Sequence, residues 1–460
     1  MLGIKLAQGP VTACRTWASR HHRPIFLLHL AGSVIVVCCA IIFGFYPALV
    51  TARVALSSTL RQQGRIESLG SWFLTTERRY DRWVKDYYAK QHAITVNSQD
   101  VAGTEWPMFG SAFFILSAEE LLKSKDIELT DHLRASLRSA AQLIADPVSA
   151  TWVRKKWGPG YLEKENVFYR MLLILGLNAY GTITNDRKYA AIAMNQAQGL
   201  SREFNAAQFN VLDDYPGECY PADVLWATAA IARVSDMPRV DRDRLSNVVV
   251  ATLSGRFSDT YGLPATLVDS RTGHILQGSR GCSTSGLLSF AYELDPRAAD
   301  GWYASYVEHY WFANRWIAGF REHAAGSQYS FTDVDSGPIL FGIGTVASLF
   351  GVGAARSAGR YDQAAPLAMQ AVAVAWPTPF GLLVPGIMGW AAADGWCFGE
   401  TAFLFAMTRP NNHGSAVKFS GRPPLVLLGF IILYGAMGAG LILREWVFWR
   451  RRFQPRKSPP

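Results

Sequence analysis

The chain has 460 residues, 50% of them hydrophobic, which is enough for one large domain or two ordinary ones. Residues 1–23 carry four basic and no acidic residues, and residues 444–460 carry six basic residues and one acidic residue, so these two ends account for the whole net charge of +9. Because the rest of the chain is neutral, the charge argues against a nucleic-acid partner and indicates two basic tails beside a membrane.

Residues 24–52 follow the first tail and form the first predicted transmembrane helix. The segment contains no Asp, Glu, Lys or Arg and is long enough to cross the ~30 Å apolar core of a bilayer. A cleaved signal peptide is the alternative, but the apolar core of a signal peptide is shorter than this segment. We therefore expect an uncleaved anchor.

Residues 53–423 show a loose period in which a polar cluster precedes an apolar helical stretch. Six units, each with room for two helices, predict an all-α domain with an (α/α)6 barrel fold, in which six inner helices point the same way. An irregular helical bundle is the alternative. In a barrel the clusters would meet at one mouth, where loops on a rigid scaffold build sites. The clusters lie at intervals of 53–64 residues, near Glu105, Glu165, Pro221, Cys282, Asp335 and Gly399.

The stretch "EKENVFYRM" opens the second of these units. Glu163, Glu165 and Asn166 cap the predicted helix in one interpretation, because acids and amides satisfy the free N–H groups of a helix start. In the other interpretation these three residues, together with Tyr169, bind hydroxyl groups of a substrate.

The stretch "DDYPGECYPADVLWAT" places acids and a lone cysteine directly before an apolar helix. Its Pro-Gly turn would aim Glu218 into the mouth among aromatic side chains, where partial desolvation raises a carboxyl pKa and makes the group a general acid. Cys219, Tyr220 and Asp223 are the expected substrate contacts beside it. A cap or a hydrogen-bonded loop is the structural alternative.

Two later clusters complete the candidate site. Asp333 and Asp335 share one side of an extended loop, so like-charge repulsion would raise the pKa of one of them, and either is a candidate general base. Alternatively, Asp335 caps the next helix, and a calcium site lacks the glycine-spaced loop it would need. Trp396 and Glu400 are expected to contact the substrate from the last unit.

Cysteine and histidine spacing gives no metal site. The domain holds Cys219, Cys282 and Cys397, none of them in a CxxC pair, and their odd number leaves at least one unpaired within a chain. No GxxxxGK[ST], HExxH or GxSxG motif is present. We therefore expect neither a metal nor a cofactor.

Residues 424–443 form the second predicted transmembrane helix, because they are charge-free and long enough to span. With both basic tails in the cytoplasm, we expect a two-pass protein of the cell inner membrane whose domain at 53–423 lies in the periplasm. The lipid bilayer is then one partner of the chain.

Small residues on the second helix form a stripe that lets another helix approach closely, and we expect the first helix to be that partner. A homo-oligomer formed through the same stripe is the alternative. The stripe comprises Gly435, Ala436, Ala439 and Gly440, and the small residues facing it are Gly32, Ser33 and Ala40.

Several stretches resemble the linalool dehydratase/isomerase family over roughly residues 105–408. They are "KKWGPGYLEKENVFYRMLLILGLNAY", "ECYPADVLWAT", "LDPRAADGWYASY" and "REHAAG", in the order found in that family. The resemblance implies an (α/α)6 barrel and the hydration, dehydration and isomerisation of monoterpene alcohols. Cys219 matches the first of the family's two active-site cysteines, whereas Thr228 and Leu172 stand where the family has its second cysteine and its histidine.

Three functions follow as hypotheses. Aromatic side chains and acids at one mouth favour carboxylate acid/base chemistry on a cell-envelope glycan, with Glu218 as acid and Asp333 or Asp335 as base. The resemblance favours a hydro-lyase or isomerase acting on an isoprenoid alcohol. The third hypothesis is a non-catalytic module that binds glycan or scaffolds an envelope complex.

Overall fold

The computed structural model describes residues 11–91, 101–327, 335–385 and 396–453. The protein is mostly helical with few short strands, as the all-α prediction requires. The chain divides into two compact units, one made of Met1–Ala52 and Leu428–Pro460 and the other of Arg53–Leu427. We call them the two-helix unit and the large unit.

Two of the longest helices are apolar on nearly every side. The first runs through α1 (Val11–Ala40), a π-helical stretch (Ile41–Phe45) and α2 (Tyr46–Leu56), and the second is the last helix of the chain, Val426–Phe453. The spans Phe26–Leu56 and Val426–Phe453 contain 18-residue windows with mean hydropathies of 2.6 and 2.3, in which 6% and 17% of the residues are buried. Both are long and apolar enough to cross a membrane, and their exposed Leu, Ile and Val side chains suit a lipid environment.

A third helix, Val167–Thr184, also has the length and composition of a membrane span, although the sequence pattern did not single it out as one. Of its 18 residues, 78% are buried inside the protein. A helix that is apolar all round and covered all round is a core helix of a large domain.

Within the two-helix unit, the helices pack through a different pair of glycines from the predicted stripe. A Cβ on Gly44 would lie 2.6 Å from the Gly438 backbone, whereas a Cβ on Gly435 or Gly440 would meet nothing within 4 Å. The predicted role of Gly435 and Gly440 in this contact is therefore wrong. Gly44 lies inside the π-helical stretch, and backbone meets backbone where it packs against Gly438.

The large unit is built from helices joined by short two-stranded antiparallel ribbons. Proline in the first turn begins three of the helices, where its missing N–H costs nothing. The helices are α3 (Ser58–Gln63), α4 (Leu69–Ala89), α5 (Val101–Thr104), α6 (Trp106–Lys123), α7 (Asp131–Ala145), α8 (Thr151–Trp157), α9 (Val167–Thr184), α10 (Ala190–Ala206), α11 (Pro221–Ala232), α12 (Arg239–Ser254), α13 (Gly281–Leu294), α14 (Pro296–Tyr310), α15 (Thr345–Ser357), α16 (Tyr361–Ala375) and α17 (Trp396–Thr408), and the chain ends in α18 (Val426–Phe453).

The ribbons lie in the connections between helices. They pair β1 with β2, β3 with β4, β5 with β6 and β7 with β8. The strands are β1 (Leu267–Val268), β2 (Ile275–Gln277), β3 (Trp311–Ala313), β4 (Ala318–Phe320), β5 (Ile339–Leu340), β6 (Ile343–Gly344), β7 (Pro377–Thr378) and β8 (Gly381–Leu382).

Six helices of the large unit contact one another in a closed cycle. The order is α6, α9, α11, α13, α15 and α17, and α17 packs back on α6. Each of the six has a further helix packed on it, namely α7, α10, α12, α14, α16 and α4, respectively. The six are buried on nearly all sides, while helices of the second set, such as α7, bury only one face. We call the six-helix cycle the ring.

The centre of the ring is filled by aromatic side chains. Phe113 on α6 is fully buried, and its ring centroid lies 4.3 Å from that of Phe405, 5.8 Å from that of Phe350 and 6.1 Å from that of Trp226. The indole N–H of Trp226 donates to the Gly286 carbonyl oxygen at 2.7 Å, which satisfies the polar atom inside this apolar cluster. The ring is therefore a packed core and not an open channel.

The six ring helices point the same way. Residues at their starts meet, as when Tyr215 before α11 donates a hydrogen bond to Glu105 before α6. Residues at their ends also meet, as when Arg233 after α11 binds Glu293 at the end of α13. Helix starts carry partial positive charge and helix ends partial negative charge, so the ring has two electrostatically different ends.

Candidate functional site

The starts of the ring helices bring several carboxyl groups together, and we call Glu105, Asp214, Asp223 and Asp335 the acidic end. Glu105 lies just before α6, Asp214 in the loop before α11 and Asp223 in the first turn of α11. Asp335 precedes β5, and its charge raises the pKa of both Glu105 and Asp223. The four acids come from three separate connections of the ring.

Glu105 is half-buried beside Tyr215, whose phenol donates a hydrogen bond to it. Burial raises the pKa of Glu105 to about 7, and the carboxylates of Asp335 and Glu218 act in the same direction. The Tyr215 hydrogen bond and the charge of Lys156 oppose this rise. Lys156 lies with its ammonium 3.7 Å from the centre of the Tyr215 ring. The group is therefore poised to exchange a proton near neutral pH.

Asp223 is half-buried, and its carboxyl makes no hydrogen bond with any residue that the structure describes. Burial raises its pKa to about 8, and the carboxylates of Asp335 and Glu105 raise it further. An acid at a helix start usually caps the helix and has a low pKa. Asp223 does neither, so its position is not explained by capping.

Asp214 is buried behind Asp223. One carboxyl oxygen accepts the backbone N–H of Tyr220 at 2.9 Å, and the other has no hydrogen-bond partner among the described residues. Burial, followed by the neighbouring charge of Asp223, raises the pKa of Asp214 well above the usual range for aspartate. Because the two carboxyls interact, Asp214 and Asp223 titrate in two steps that belong to the pair and not to either residue alone.

The loop before α11, which carries Asp214, is held by the "EKEN" block. Glu165 and Asn166 adopt positive φ angles of 26° and 52°, which turns the chain sharply into α9. The carboxylate of Glu165 accepts the backbone N–H of Asp213 at 2.9 Å, and the amide of Asn166 donates to the Tyr161 carbonyl oxygen at 2.9 Å. These two residues brace the loop before α11. The predicted capping is not observed, because Asn166 stands at the N-cap position of α9 and makes no side-chain capping hydrogen bond.

The loop before α11 is a tight turn. Gly217 has a φ of 85°, and its N–H donates to the carboxylate of Asp213 at 2.8 Å. Asp213 also accepts the Ser270 hydroxyl at 2.6 Å. A cavity of about 150 Å³ lies against this turn, between Gly217 and residues 269–271.

Glu218 does not lie where its proposed role as acid needs it. Its side chain is exposed and accepts a hydrogen bond from the Tyr220 phenol at 3.1 Å. The predicted desolvation of Glu218 is therefore wrong, because the turn at 216–217 carries it to the outer surface. Its charge nevertheless raises the pKa of Glu105.

The other predicted site residues take varied positions. Glu163 is exposed, Tyr169 is 2% exposed and packs against Tyr161, and Cys219 is fully buried, so no substrate reaches its thiol in this conformation. Cys219 and Cys282 are free thiols, and the side chains of Trp396 and Cys397 lie outside the described residues, as does Asp333. The binding roles given to these residues stay predictions.

Glu400 is fully buried and forms an ion pair with Arg79 of α4. Burial raises its pKa to about 7, opposed by the charge of Arg79. The pairing joins α17 to a helix of the second set. Glu400 therefore takes part in the packing of the large unit in this structure, near the start of α17.

Cys282, at the start of α13, belongs to a second buried group. Its thiol donates to the carboxylate of Glu322 at 3.1 Å, and Arg280 donates to the same oxygen at 3.0 Å. Glu322 is fully buried, and burial raises its pKa while Cys282 and Arg280 oppose the rise. Each partner in this group is satisfied, so it fixes the start of α13.

Half-buried aromatic rings lie next to the acidic end, and we call Phe109, Phe350 and Phe398 the phenylalanine floor. Phe109 and Phe398 lie 5.4 Å apart, and Phe398 stacks on Trp106 at 4.9 Å between ring centroids. These rings and Phe350 are half-buried, whereas Phe113 beneath them has no exposed surface. A bound molecule would meet acids at the rim and phenylalanine faces at the base.

The described residues contain no group of three or more His, Cys, Asp or Glu that could hold a metal ion.

The sequence marked Glu105 only as the start of an apolar stretch, gave Asp214 no role, and counted Tyr215 only among the aromatic side chains around Glu218. The signal available for all three was an acid or tyrosine in a polar cluster before a ring helix. That signal is shared by ordinary caps, so it does not separate these residues from the others.

Comparison of the sequence with protein-family models finds no match, and comparison with curated proteins finds no significant similarity. The functional conclusions therefore rest on the residues and their geometry.

Proposed function

We propose that the large unit is an (α/α)6 barrel whose acidic end is the active site of an acid/base enzyme. The closed cycle of six ring helices, each with a second helix packed on it, supports the fold. The convergence of the helix starts at one end supports the position of the site.

The observation that carries the proposed activity is the pair Glu105 and Asp223, with pKa values raised to about 7 and about 8 at one end of the ring. At pH 7 Asp223 is mostly protonated and Glu105 is close to half-ionised. One carboxyl can then give a proton while the other takes one, which is the requirement for general acid/base catalysis.

The proposed reaction is the loss or migration of a hydroxyl group on a neutral substrate. Asp223 protonates the leaving hydroxyl, the C–O bond breaks and water leaves with the bonding electrons. Glu105 removes a proton from the adjacent carbon, and those electrons form the double bond. The reverse sequence adds water.

The phenylalanine floor favours a substrate with an apolar body, such as an isoprenoid alcohol. Phe109, Phe350 and Phe398 offer flat apolar faces and no hydrogen-bonding groups. A cell-envelope glycan is the second candidate, since exposed Glu218 and half-buried Tyr220 at the rim supply partners for sugar hydroxyls. The many carboxyls at this end disfavour an anionic substrate of either kind.

The two long apolar helices support a membrane-anchored arrangement in which the large unit lies outside the cytoplasmic membrane. The motivation is the set of ten basic residues in the two tails. A protease added to spheroplasts should then digest the large unit and leave tags on both termini intact. Protection of the large unit with loss of the tags would reverse this topology.

The activity is tested with the full chain in nanodiscs, using linalool and geraniol in one arm and envelope glucans in the other. Asp223→Asn and Glu105→Gln should each lower turnover by roughly 10²–10⁴-fold. Glu128→Gln, which changes an exposed acid between α6 and α7, is the matched control and should leave turnover unchanged. Turnover of either substrate that survives both amide variants would refute the acid/base site, and turnover of glucan alone would select the second candidate.

A further inference from the structure

The last helix of the two-helix unit carries a basic groove that the proposed activity does not use. The groove has a volume of about 780 Å³. We call it the arginine groove, and the described side chains around it are Leu443, Arg444, Val447, Phe448, Arg451 and Arg452, with Gly440 at one end.

The groove follows one face of α18. Gly440, Arg444, Val447 and Arg451 are three or four residues apart and therefore lie in line on the helix surface. At 1.5 Å per residue, Gly440 to Arg452 covers about 18 Å, slightly more than one ~15 Å leaflet of the bilayer core.

A different face of α18 contacts the first helix of this unit. Gly438 meets Gly44, and Glu445 accepts the Ser33 hydroxyl at 2.6 Å. The indole N–H of Trp449 donates to the same Ser33 oxygen at 2.8 Å. The polar groups on this face are used within the unit, and the arginine groove begins beside it at Phe448, whose ring centroid lies 5.3 Å from that of His29.

The three arginines of the groove are exposed and form no ion pair with any residue that the structure describes. The nearest acid in sequence, Glu445, is engaged by Ser33. The neighbouring Arg450 differs, because its guanidinium lies 5.1 Å from the centre of the Trp446 ring and outside the groove. The charge of the groove is therefore available to an anion.

We propose that the arginine groove binds an anionic phospholipid, with the phosphate on Arg444, Arg451 and Arg452 and an acyl chain along Gly440, Leu443 and Val447. Guanidinium groups bind phosphate through paired hydrogen bonds, and the apolar end of the groove matches a hydrocarbon chain. Gly440 leaves open space where a side chain would block that chain. This inference depends on α18 spanning the membrane and not on the proposed enzyme activity.

The test is lipid titration of the full-length protein in detergent, read by native mass spectrometry. We expect phosphatidylglycerol to bind about tenfold or more tightly than phosphatidylcholine. Replacing all three groove arginines by Gln should abolish that preference, and Gly440→Leu should weaken phosphatidylglycerol binding while all charges remain. Arg450→Gln and Gly435→Leu are the matched controls outside the groove and should stay close to wild type.

Two outcomes would overturn the site. Equal losses in Arg450→Gln and in the groove variants would mean diffuse attraction to anionic lipid. Competition by glycerol phosphate as strong as that by the intact lipid would mean a phosphate site without an acyl chain. Because Gly440→Leu keeps every charge, it tests the groove even if the triple arginine variant does not fold.

Discussion

Carboxyl groups at the two ends of the ring have pKa values that are shifted in opposite directions. At the ends of the helices, Glu293 binds Arg233 through two hydrogen bonds of 2.7 Å and also binds Arg409, and although burial opposes ionisation, these cations lower its pKa to about 2. At the helix starts, burial raises the pKa of Glu105 and Asp223 to about 7 and about 8. Similar burial therefore gives opposite results, and the two arginine partners of Glu293 account for the difference.

This difference in carboxyl pKa bears on the proposed function. At the end of the helices, Arg409 is 1% exposed, donates to the Ser289 carbonyl oxygen at 3.1 Å and lies 4.3 Å from the centre of the Phe290 ring. The ion pairs there lock side chains in place and complement the helix dipoles. The carboxyls of the acidic end do not have the stabilisation that these ion pairs give, and this is typical of sites that exchange protons.

The largest expected effect on stability follows from removing a cation at the ends of the ring helices. Arg409→Ala leaves Glu293 buried with half of its charge partners gone, and we expect the free energy of unfolding to fall by about 3–5 kcal/mol. Urea denaturation measures this change. Arg187→Ala, which breaks the exposed pair between Arg187 and Asp236 at 3.3 Å, is the control and should cost about 1 kcal/mol or less. Equal small losses in both variants would contradict the difference between the ends.

The acidic end should make stability fall as pH rises. Between about pH 4 and pH 8 the folded protein keeps protons on Glu105 and Asp223 that the unfolded chain has released, so the free energy of unfolding decreases over that window and levels off above it. Asp223→Asn removes part of this decrease, and we expect a gain of roughly 1–2 kcal/mol at pH 9 relative to wild type.

Glu293 should act in the opposite direction. Its lowered pKa stabilises the fold above about pH 4.5, and this contribution is lost as the pH falls toward about 2. Denaturation of Asp223→Asn and Glu293→Gln at pH 3, pH 5 and pH 9 separates the two contributions, because Glu293 acts between pH 3 and pH 5 and Asp223 between pH 5 and pH 9. An Asp223→Asn variant with the same pH dependence as wild type would contradict the raised pKa.

A smaller effect is expected from the hydrogen bond that holds Glu105. Tyr215 donates to Glu105 and opposes the rise of its pKa, so Tyr215→Phe should move the pKa of Glu105 upward by about one unit or less. The acidic limb of the pH–rate profile would shift to higher pH. No shift, or a shift to lower pH, would mean that Glu105 does not determine this limb.

The smallest expected effect comes from Lys156, the exposed cation whose charge opposes the rise of the Glu105 pKa. Lys156→Gln should shift the same limb upward by less than Tyr215→Phe, because solvent and salt screen an exposed charge. The shift should vanish at high ionic strength. Lys155→Gln is the control on the adjacent exposed residue.

The sequence predicted the mostly helical class, and two long apolar segments appear as helices able to span a membrane. Periodicity carries this information because apolar residues repeat along each helix. It also marked Asp223, since an acid in the first turn before an apolar helix is visible in the sequence alone.

The rest depends on contacts between distant residues. The partner of Glu400 is Arg79, 321 residues away, and the partner of Glu105 is Tyr215, 110 residues away. Burial sets the pKa of these acids, and nothing near Glu218 in the sequence shows that its turn leaves it exposed. The predicted glycine contact was wrong for the same reason, because the sequence does not show which small residues of two distant helices meet.

The central claim is that carboxyls of the acidic end stay protonated near neutral pH while Glu293 does not. Infrared difference spectra of the full-length protein, recorded across a pH titration, measure the protonated carboxyl band directly. We predict a band that disappears between about pH 6 and pH 9, that is reduced in Asp223→Asn and Glu105→Gln and that is unchanged in Glu293→Gln. Loss of all protonated carboxyl signal below about pH 5 in the wild-type protein would contradict the claim.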